Sequence, residues 1–290
     1  MTLTATAYGR TLLEKAFQVD LRGIVDLLSH HLYSSPRVYV RELLQNGVDA
    51  ITARRGSDPD APARVEIEPP EVTGDGTLRV HDTGIGLTED EVHLLLATIG
   101  RSSKRDDLGF ARHEFLGQFG IGLLSCFLVA DEVRVLTRSA RDPEAATVEW
   151  RGYADGRYRV LRADESRAEP GTTVTLAPRP GCEHWLTTTT VTELARLYGS
   201  LLPFEVQVAG TRTTVPAPPW LVGHNNPDAR RAALDSFGYD VLGVRPFDAI
   251  DLNVPEAGLT GVAFVLPIAA NPASRAAHRV YLKRMLLAEG

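Results

Sequence analysis

The sequence predicts an α+β protein in which helices pack against a mainly antiparallel sheet. Two helical patterns stand near the start of the chain, and a series of strand patterns separated by short turns follows them. The chain has 290 residues, of which 43% are hydrophobic, so it can bury a sizeable core. This length is also typical of two domains.

The first two elements are expected to be helices. Helical periodicity covers residues 12–32 (LLEKAFQVDLRGIVDLLSHHL) and residues 37–55 (RVYVRELLQNGVDAITARR). The sequence Ser34-Ser35-Pro36 between them is typical of a helix start.

Strand patterns dominate the rest of the first domain. Residues 63–70 and 77–82 flank the turn-rich VTGDG, which predicts an antiparallel pair. Two more helices are expected, at residues 89–100 and at the threonine-capped residues 187–202. Further strands are predicted at residues 131–139, 146–152, 158–163, 172–178 and 204–210.

A stretch rich in Pro, Thr and Asn predicts the domain boundary. We expect an N-terminal domain over residues 1–210, a linker over residues 211–220, and the beginning of a second domain over residues 221–290.

Composition excludes several classes of protein. The net charge is −6, from 37 acidic and 31 basic residues, so a general affinity for nucleic acid or anionic membrane is not expected. Two cysteines are too few for a disulfide framework, and Cys126 lies in an apolar run where a buried thiol is expected. No apolar run is long enough for a signal peptide or a membrane span, which favours a cytoplasmic protein.

The segment RELLQNGVDA places Glu42, Asn46 and Asp49 on one stripe of a helix, because steps of four and seven residues return almost to the same direction. Leu44, Val48 and the apolar positions around them form another side. The stripe is either a solvated face or a polar site, and the segment alone does not distinguish these alternatives.

Two glycine-containing turns also point to ligand binding. In VHDTGIGLTEDEV, Asp82 ends a strand and can accept a hydrogen bond from an amine, while Gly84 and Gly86 allow close backbone approach. In LGQFGIGLLS, glycines precede an apolar helix whose first N–H groups suit phosphate. Each motif also has a purely structural interpretation, as a strand-closing turn or as tight packing.

The order and spacing of the three motifs resemble the ATP site of the gyrase, histidine kinase and MutL superfamily, and most closely that of the heat-shock protein 90 family of bacterial HtpG-type chaperones. RELLQNGVDA is similar to the family's RELISNASDA, and DTGIGLTEDEV to its DTGIGMT. Residues 251–267 and 278–287 look like the start of its middle domain. The resemblance implies a two-layer sandwich of helices on a mixed, mainly antiparallel sheet (the Bergerat-type ATP-binding fold), followed by a partial second α/β domain.

The resemblance also implies roles for individual residues in binding ATP or ADP with Mg²⁺. Glu42 would be the general base that polarises the attacking water, Asn46 would ligate Mg²⁺, and Asp82 would accept the adenine amino group. Thr172 would help to hold water against the ring. The other implied nucleotide-binding positions are Asp49, Ala50, Gly86, Leu87, Arg101, Gly117, Phe119, Gly120, Ile121, Gly122 and Leu123.

The sequence departs from the family pattern at three places. Leu95 stands where the family usually has Asn, and Leu123 stands where it often has Phe. The interval between Arg101 and Gly117, which forms a lid in the family, looks shorter than usual, so lid closure is not predicted. Arg101 and Lys104 are expected either as cationic partners of the phosphates or as ordinary surface charges.

We therefore expect an ATP-dependent chaperone that couples hydrolysis to conformational change and assists unfolded client proteins. The alternative is a nucleotide-binding interaction module with little or no hydrolysis. The 290 residues are expected to be a fragment, monomeric as given and part of a homodimer at full length. The family takes an arginine from a middle-domain loop beyond Gly290, so slow hydrolysis is expected.

Overall fold

The first domain is built on a nine-stranded sheet that combines short-range and long-range pairings. The computed structural model describes residues 6–7, 10–11, 14–16, 35–95, 122–142, 144–163, 166–215, 217–257, 259–267, 279–282 and 284–289.

The described helices fall into three groups along the chain. Three lie within residues 38–95, one lies at residues 188–199, and one lies at residues 227–242. They are α1 (Val38–Ser57), α2 (Pro70–Thr73), α3 (Glu89–Leu95), α4 (Thr188–Gly199) and α5 (Pro227–Leu242). Four 3₁₀ segments accompany them, at Gly122–Leu128, Glu183–Trp185, Pro219–Leu221 and Pro255–Ala257.

The strands alternate buried and more exposed residues over most of the first domain. In chain order they are β1 (Thr6–Ala7), β2 (Arg10–Thr11), β3 (Glu14–Ala16), β4 (Arg64–Glu68), β5 (Leu78–Asp82), β6 (Ala130–Arg138), β7 (Val148–Tyr153), β8 (Arg157–Arg162), β9 (Gly171–Pro178), β10 (Glu205–Val208), β11 (Thr211–Arg212), β12 (Asp248–Val254), β13 (Leu259–Val265), β14 (Arg279–Leu282) and β15 (Met285–Glu289).

The main sheet has the order β11-β10-β4-β5-β9-β6-β7-β8-β3. Among the pairings of its described strands only β10–β4 is parallel, so the sheet is mixed and mainly antiparallel, as predicted. The centre matters most for function, because β5, β9 and β6 lie side by side there. In this register Asp82 faces Thr172, and Thr172 faces Thr137.

Most of the predicted elements of the first domain are confirmed. The helix expected at residues 37–55 is α1, and the antiparallel pair flanking VTGDG is β4 and β5. The N-cap predicted for α4 is also present, because the side chain of Thr187 accepts a hydrogen bond from the backbone N–H of Thr190.

The helix predicted over residues 12–32 is wrong where the structure describes it. Glu14–Ala16 form β3, which pairs with β8 at the edge of the main sheet. Pairing with an existing strand edge satisfies the backbone groups of β3, and tertiary context of this kind overrides a helical pattern. The remainder of that prediction lies outside the described residues.

The core of the first domain lies between α1, α4 and one face of the sheet. Tyr39, Leu44 and Ile51 of α1 are fully buried, and Val65 and Leu78 bring in β4 and β5. The hydroxyl of Tyr39 donates a hydrogen bond of 2.7 Å to the backbone oxygen of Trp185, and burial raises the pKa of the phenol. The helix is thereby fixed on the sheet along its length.

The chain divides into two compact units by its internal contacts. The first comprises Met1–Thr214 and Leu282–Leu286, and the second comprises Val215–Tyr281 and Leu287–Gly290. In the second unit α5 begins at an Asn226 N-cap and packs on the β12–β13 ribbon through Phe237 and Phe264, whose ring centroids lie 6.4 Å apart. The domain boundaries drawn from the sequence stay a prediction.

No helix in the described part of the chain is long and apolar enough to cross a membrane.

The packing of the Trp150 ring depends on the neighbouring Gly152. A Cβ atom at Gly152 would lie 2.1 Å from the ring of Trp150, which is 1% exposed. Gly152→Ala should therefore lower the free energy of unfolding by about 1–3 kcal/mol, since the ring has to move in a packed core. Urea denaturation measures this change.

The matched control is Gly56→Ala, near the C-terminal end of α1. A Cβ atom there meets nothing within 4 Å, so alanine should raise the free energy of unfolding by roughly 0.4–1 kcal/mol. Equal effects of the two substitutions would show that Gly152 is not required for the packing of Trp150.

Candidate functional site

Helix α1 and the end of β5 approach each other closely through small residues. A Cβ atom at Gly47 would lie 3.0 Å from Val65 and 3.5 Å from the Cβ of Asp82. A Cβ atom at Gly84 would lie 2.4 Å from the Cβ of Ala50. Because larger side chains at Gly47 or Gly84 would separate the two elements, these glycines bring the end of β5 against the helix.

The turn after β5 is held by backbone and side-chain hydrogen bonds. The N–H of Ile85 donates to the carbonyl oxygen of Ala50 over 3.0 Å, which ties the turn to α1. Thr83 is buried, and its hydroxyl donates to the carbonyl oxygen of Pro62 over 2.7 Å and accepts from the N–H of Arg64 over 3.1 Å. These hydrogen bonds thus hold the Asp-Thr-Gly segment against α1 and the start of β4.

Asp82 presents its two carboxylate oxygens to different surroundings. Its Oδ1 accepts the N–H of Gly84 over 2.8 Å and the N–H of Thr172 over 3.3 Å. Its Oδ2 accepts no hydrogen bond from any residue that the structure describes. Burial raises the pKa of Asp82 to about 6, although the two N–H groups oppose the shift by favouring the charged form. The carboxylate therefore retains one oxygen that can accept a further hydrogen bond.

Two arginines also act on Asp82 through their charge. Arg54 of α1 donates to the carbonyl oxygen of Thr83 over 3.0 Å, and Arg167 donates to the carbonyl oxygen of Asp82 over 3.4 Å. Both lower the pKa of the Asp82 carboxyl, but less than burial raises it. Burial in turn lowers the pKa of Arg167, and the negative charge of Asp82 works against that shift.

A row of polar side chains crosses three strands at the level of Asp82. Thr172 of β9 is its neighbour in the sheet, and the Thr172 hydroxyl lies 3.1 Å from the hydroxyl of Thr137 on β6. Thr137 is fully buried, and its oxygen also accepts the N–H of Leu87 over 2.9 Å. The hydroxyl row thereby joins the sheet to the end of the Asp-Thr-Gly turn.

Two glycines with positive φ allow this row to form. Gly86 has φ of 64°, and a Cβ atom there would lie 1.9 Å from the carbonyl oxygen of Arg138. Gly171 has φ of 129°, and a Cβ atom there would lie 2.2 Å from the carbonyl oxygen of Asp82. L-residues with side chains rarely adopt such φ values, and here the space is also filled.

Glu42 lies at the other end of α1, against the start of the 3₁₀ segment. It is 9% exposed, and its Oε2 would be 2.4 Å from a Cβ atom at Gly122. Its Oε1 accepts a hydrogen bond of 2.8 Å from the guanidinium of Arg41. Cys126 is fully buried, and burial together with the charge of Glu42 raises the pKa of its thiol. The predicted buried thiol is thus confirmed.

The other predicted positions on these elements differ in exposure. Asn46 is exposed and its side chain makes no hydrogen bond to a described residue, while Asp49 and Ala50 are partly buried. Leu123 is partly buried and packs against the core, so the departure from Phe leaves an apolar contact in place.

The structure brings one group of predicted residues together around the end of β5. Its members are Ala50, Asp82, Gly86, Leu87 and Thr172. Glu42 and Gly122 meet separately, toward the N-terminal half of α1. Several predicted positions lie outside the described residues, namely Arg101, Lys104, Gly117, Phe119, Gly120 and Ile121, together with the lid interval.

Sequence reasoning missed Thr137, Gly171 and Arg167. A signal for Thr137 was present, because the alternation of β6 places it on the same face as the buried Val133 and Val135. A polar residue on a core-facing position needs a hydrogen-bond partner, and here it has three.

Metal binding was predicted at Asn46. The described residues include no group of three or more His, Cys, Asp or Glu side chains that could hold a metal ion. Mg²⁺ commonly takes only one or two protein ligands and completes its shell with water and substrate phosphates. The exposed amide oxygen of Asn46, one helical turn after Glu42, fits that kind of site.

Comparison with known proteins finds similarity over the same part of the chain. Residues 33–177 match the family described as histidine kinase-, DNA gyrase B-, and HSP90-like ATPase. The chaperone protein HtpG of Geobacter sulfurreducens is 33% identical over 217 residues, covering 70% of this chain and 33% of the relative.

Two further relatives show the same partial coverage. The chaperone protein HtpG of Methylobacterium sp. is 36% identical over 190 residues, covering 61% of this chain and 30% of the relative. The mitochondrial heat shock protein 75 kDa of Rattus norvegicus is 29% identical over 215 residues, covering 71% of this chain and 30% of the relative. The chain spans about a third of the length of the curated relatives that it matches.

The raised pKa of Asp82 predicts an unusual pH dependence of stability. Between the ordinary pKa of 3.8 and about 6 the folded protein keeps a proton on Asp82 that the unfolded chain has released, so this residue's contribution to stability falls as pH rises through that range. Asp82→Asn retains the Oδ1 acceptor and removes the charge. At pH 7.5 it should raise the free energy of unfolding by about 1–3 kcal/mol, with little effect near pH 4. Urea denaturation at both pH values measures the difference.

Asp75→Asn is the control of opposite sign. Hydrogen bonds from Thr77 lower the pKa of Asp75, so its charged form stabilises the fold at neutral pH, and that contribution is lost as pH falls below its ordinary value. Asp75→Asn should therefore destabilise the protein at pH 7.5. A pH-independent effect of Asp82→Asn would contradict the assigned cause.

Proposed function

Because the chain belongs to the histidine kinase-, DNA gyrase B- and HSP90-like ATPase family, we propose that its first domain binds ATP and ADP and hydrolyses ATP as part of a chaperone of the heat-shock protein 90 type. The mixed sheet with α1 and α4 packed on it is the Bergerat-type fold that the sequence resemblance implied, so that prediction is confirmed. The observation that carries the proposal is the asymmetry of Asp82, whose Oδ1 accepts two backbone N–H groups while its Oδ2 accepts no hydrogen bond from any described residue.

Asp82 selects the base by hydrogen bonding. Adenine has an amino group where guanine has a carbonyl oxygen, so a carboxylate oxygen pairs with adenine and opposes guanine. Because the two backbone N–H groups already occupy Oδ1, the base meets Oδ2. Thr172 lies next to Asp82 in the sheet and holds a water molecule against the ring.

Helix α1 gives the site a direction. Asp82 approaches it at Gly47, and Glu42 lies five residues earlier, about 7.5 Å along the helix axis. Gly122, the last glycine of the predicted phosphate-binding segment (residues 117–123), contacts Glu42. The base therefore lies toward the C-terminal half of α1 and the phosphates toward its N-terminal half.

Glu42 acts on the attacking water as the general base. A carboxylate fills this role when it is within hydrogen-bond reach of the water, and its charge here is balanced by Arg41. Asn46 would hold Mg²⁺, which supplies positive charge to the phosphate oxygens when it is bound. A neutral amide adds an oxygen ligand without placing further negative charge beside the triphosphate.

A second candidate function is supported by Glu42 itself. The carboxylate is almost fully buried and already paired with Arg41, and this favours a module that binds nucleotide and hydrolyses it little. Single-turnover hydrolysis separates the two functions. The chaperone role, the cytoplasmic location, the client proteins and a homodimer of the whole protein are likewise proposals, supported by similarity to relatives of which this chain spans about a third.

Asp82→Asn should abolish or greatly weaken nucleotide binding. The N–H groups of Gly84 and Thr172 fix the amide oxygen at the Oδ1 position, so the amide NH₂ meets the adenine amino group and the two donors repel. We expect an affinity loss of roughly tenfold to a hundredfold in calorimetry with Mg-ADP. Asp75→Asn, on an exposed turn, should bind as the wild type does, and undiminished affinity of Asp82→Asn would rule out this pocket.

Substitutions at Glu42 and Asn46 should have different effects, the first on hydrolysis and the second on binding. Glu42→Gln keeps the shape that packs against Gly122, so it should bind ATP normally while the single-turnover rate falls on the order of 100-fold or more. Asn46→Ala should lose the Mg²⁺-dependent part of ATP binding instead. Hydrolysis by Glu42→Gln at the wild-type rate would refute the assignment of the general base.

A further inference from the structure

Thr137 is positioned to control the hydroxyl of Thr172, although it lies too deep in the sheet to touch a ligand. It is fully buried, whereas Thr172 is partly exposed. Its hydroxyl oxygen lies 2.9 Å from the N–H of Leu87, 3.2 Å from the carbonyl oxygen of Gly171 and 3.1 Å from the hydroxyl of Thr172. Three partners of different chemistry restrict where its single proton can go.

The N–H of Leu87 can only donate, and the carbonyl oxygen of Gly171 can only accept. Two proton arrangements satisfy these limits and also keep a hydrogen bond between Thr137 and Thr172. In the first, Thr172 donates to Thr137 and Thr137 donates to Gly171, so every group is paired. In the second, Thr137 donates to Thr172, and the proton of Thr172 becomes available to a ligand.

The second arrangement matches the hydrogen-bonding edge of adenine. That edge has a donor, the 6-amino group, beside an acceptor, N1. Asp82 supplies an acceptor through Oδ2, and Thr172, its neighbour in the sheet, then supplies a donor directly or through one water molecule. When the Thr137 hydroxyl donates to Thr172 instead of Gly171, Asp82 and Thr172 therefore offer the acceptor and the donor that match the adenine edge.

We propose that Thr137 is a positioning residue that orients the hydroxyl of Thr172 and so makes the site read N1 of adenine. This inference rests on the proposed function of the same site. Thr137 also accepts a hydrogen bond from the N–H of Leu87, at the end of the turn that begins at Asp82. The two residues proposed to contact the base, Asp82 and Thr172, are therefore both connected to Thr137.

The test compares three nucleotides on the chain as it stands. Calorimetry measures the affinity for ATP, for 1-deaza-ATP, which lacks the N1 acceptor, and for purine riboside triphosphate, which lacks the 6-amino group. In the wild type each analogue should bind about tenfold more weakly than ATP. Thr137→Val should reduce the discrimination against 1-deaza-ATP at least threefold and preserve the discrimination against purine riboside triphosphate, which depends on Asp82.

A purely structural role would give a different result. It would weaken the binding of all three nucleotides by the same factor and leave unchanged the ratio of the affinity for ATP to that for each analogue. That outcome would overturn the inference. Thr137→Ser keeps the hydroxyl and should restore the wild-type ratio of the affinity for ATP to that for 1-deaza-ATP (the N1 ratio). Thr213→Val is the matched control, because Thr213 is also buried and donates to the carbonyl oxygen of Val206 over 3.1 Å, and it should change neither ratio.

Two further outcomes are informative. If Thr137→Val does not fold, Thr137→Cys carries the test, since a thiol is only a weak donor and acceptor. Full retention of the N1 ratio by Thr137→Cys would then overturn the inference. If wild-type protein binds no adenine nucleotide, the proposed function fails and the inference fails with it. Binding by the wild type with unchanged ratios in the variants rejects the inference alone.

Discussion

The arrangement of the first domain depends on how the Asp82 carboxylate is held. One of its oxygens accepts two backbone N–H groups, from a turn and from a neighbouring strand, so the carboxylate cannot rotate without leaving both donors unpaired. The surroundings are buried enough to raise its pKa to about 6. The fold thus holds a partly exposed carboxylate with one oxygen that accepts two hydrogen bonds and one oxygen that can accept a further one.

Close backbone approach makes this arrangement possible, and glycine supplies it at each contact. Gly47 and Gly84 bring α1 against the end of β5, while Gly86 and Gly171 bring the turn and β9 against their neighbours. At the last two positions positive φ and filled space both require glycine. The glycines of the Asp-Thr-Gly turn therefore position a carboxylate, and they need not contact a phosphate to be essential.

Sequence patterns predict the parts of this site that are local in the chain. Alternation identifies β4 to β9, and the motif around Asp82 marks the carboxylate and its turn. Thr137 is separated from its partner Leu87 by 50 residues and from Thr172 by 35, so its role depends on strand register that a single sequence does not reveal. Glu14–Ala16 show the converse, because a helical pattern there gives way to pairing with a sheet edge. The start of α5 is predictable from local sequence, because Asn226 is a preferred N-cap residue and a proline follows it at the first helical position.

The two carboxylates of the candidate site lie in different electrostatic surroundings. At Asp82 two arginines offset part of the effect of burial on the pKa, so the carboxylate can ionise near neutral pH. At Glu42 an arginine on the adjacent residue balances the charge, and burial is nearly complete. Removal of Arg54 or Arg167 would therefore shift the ionisation of Asp82 toward higher pH, whereas the loss of Arg41 would leave the buried Glu42 carboxylate without its ion-pair partner. The Asp82 carboxylate at the end of β5 is thus influenced by two arginines that offset part of its burial, whereas the Glu42 carboxylate of α1 is paired directly with Arg41. Two carboxylates of different character therefore lie along the same twenty-residue helix, one on the helix itself and one on the strand packed against it.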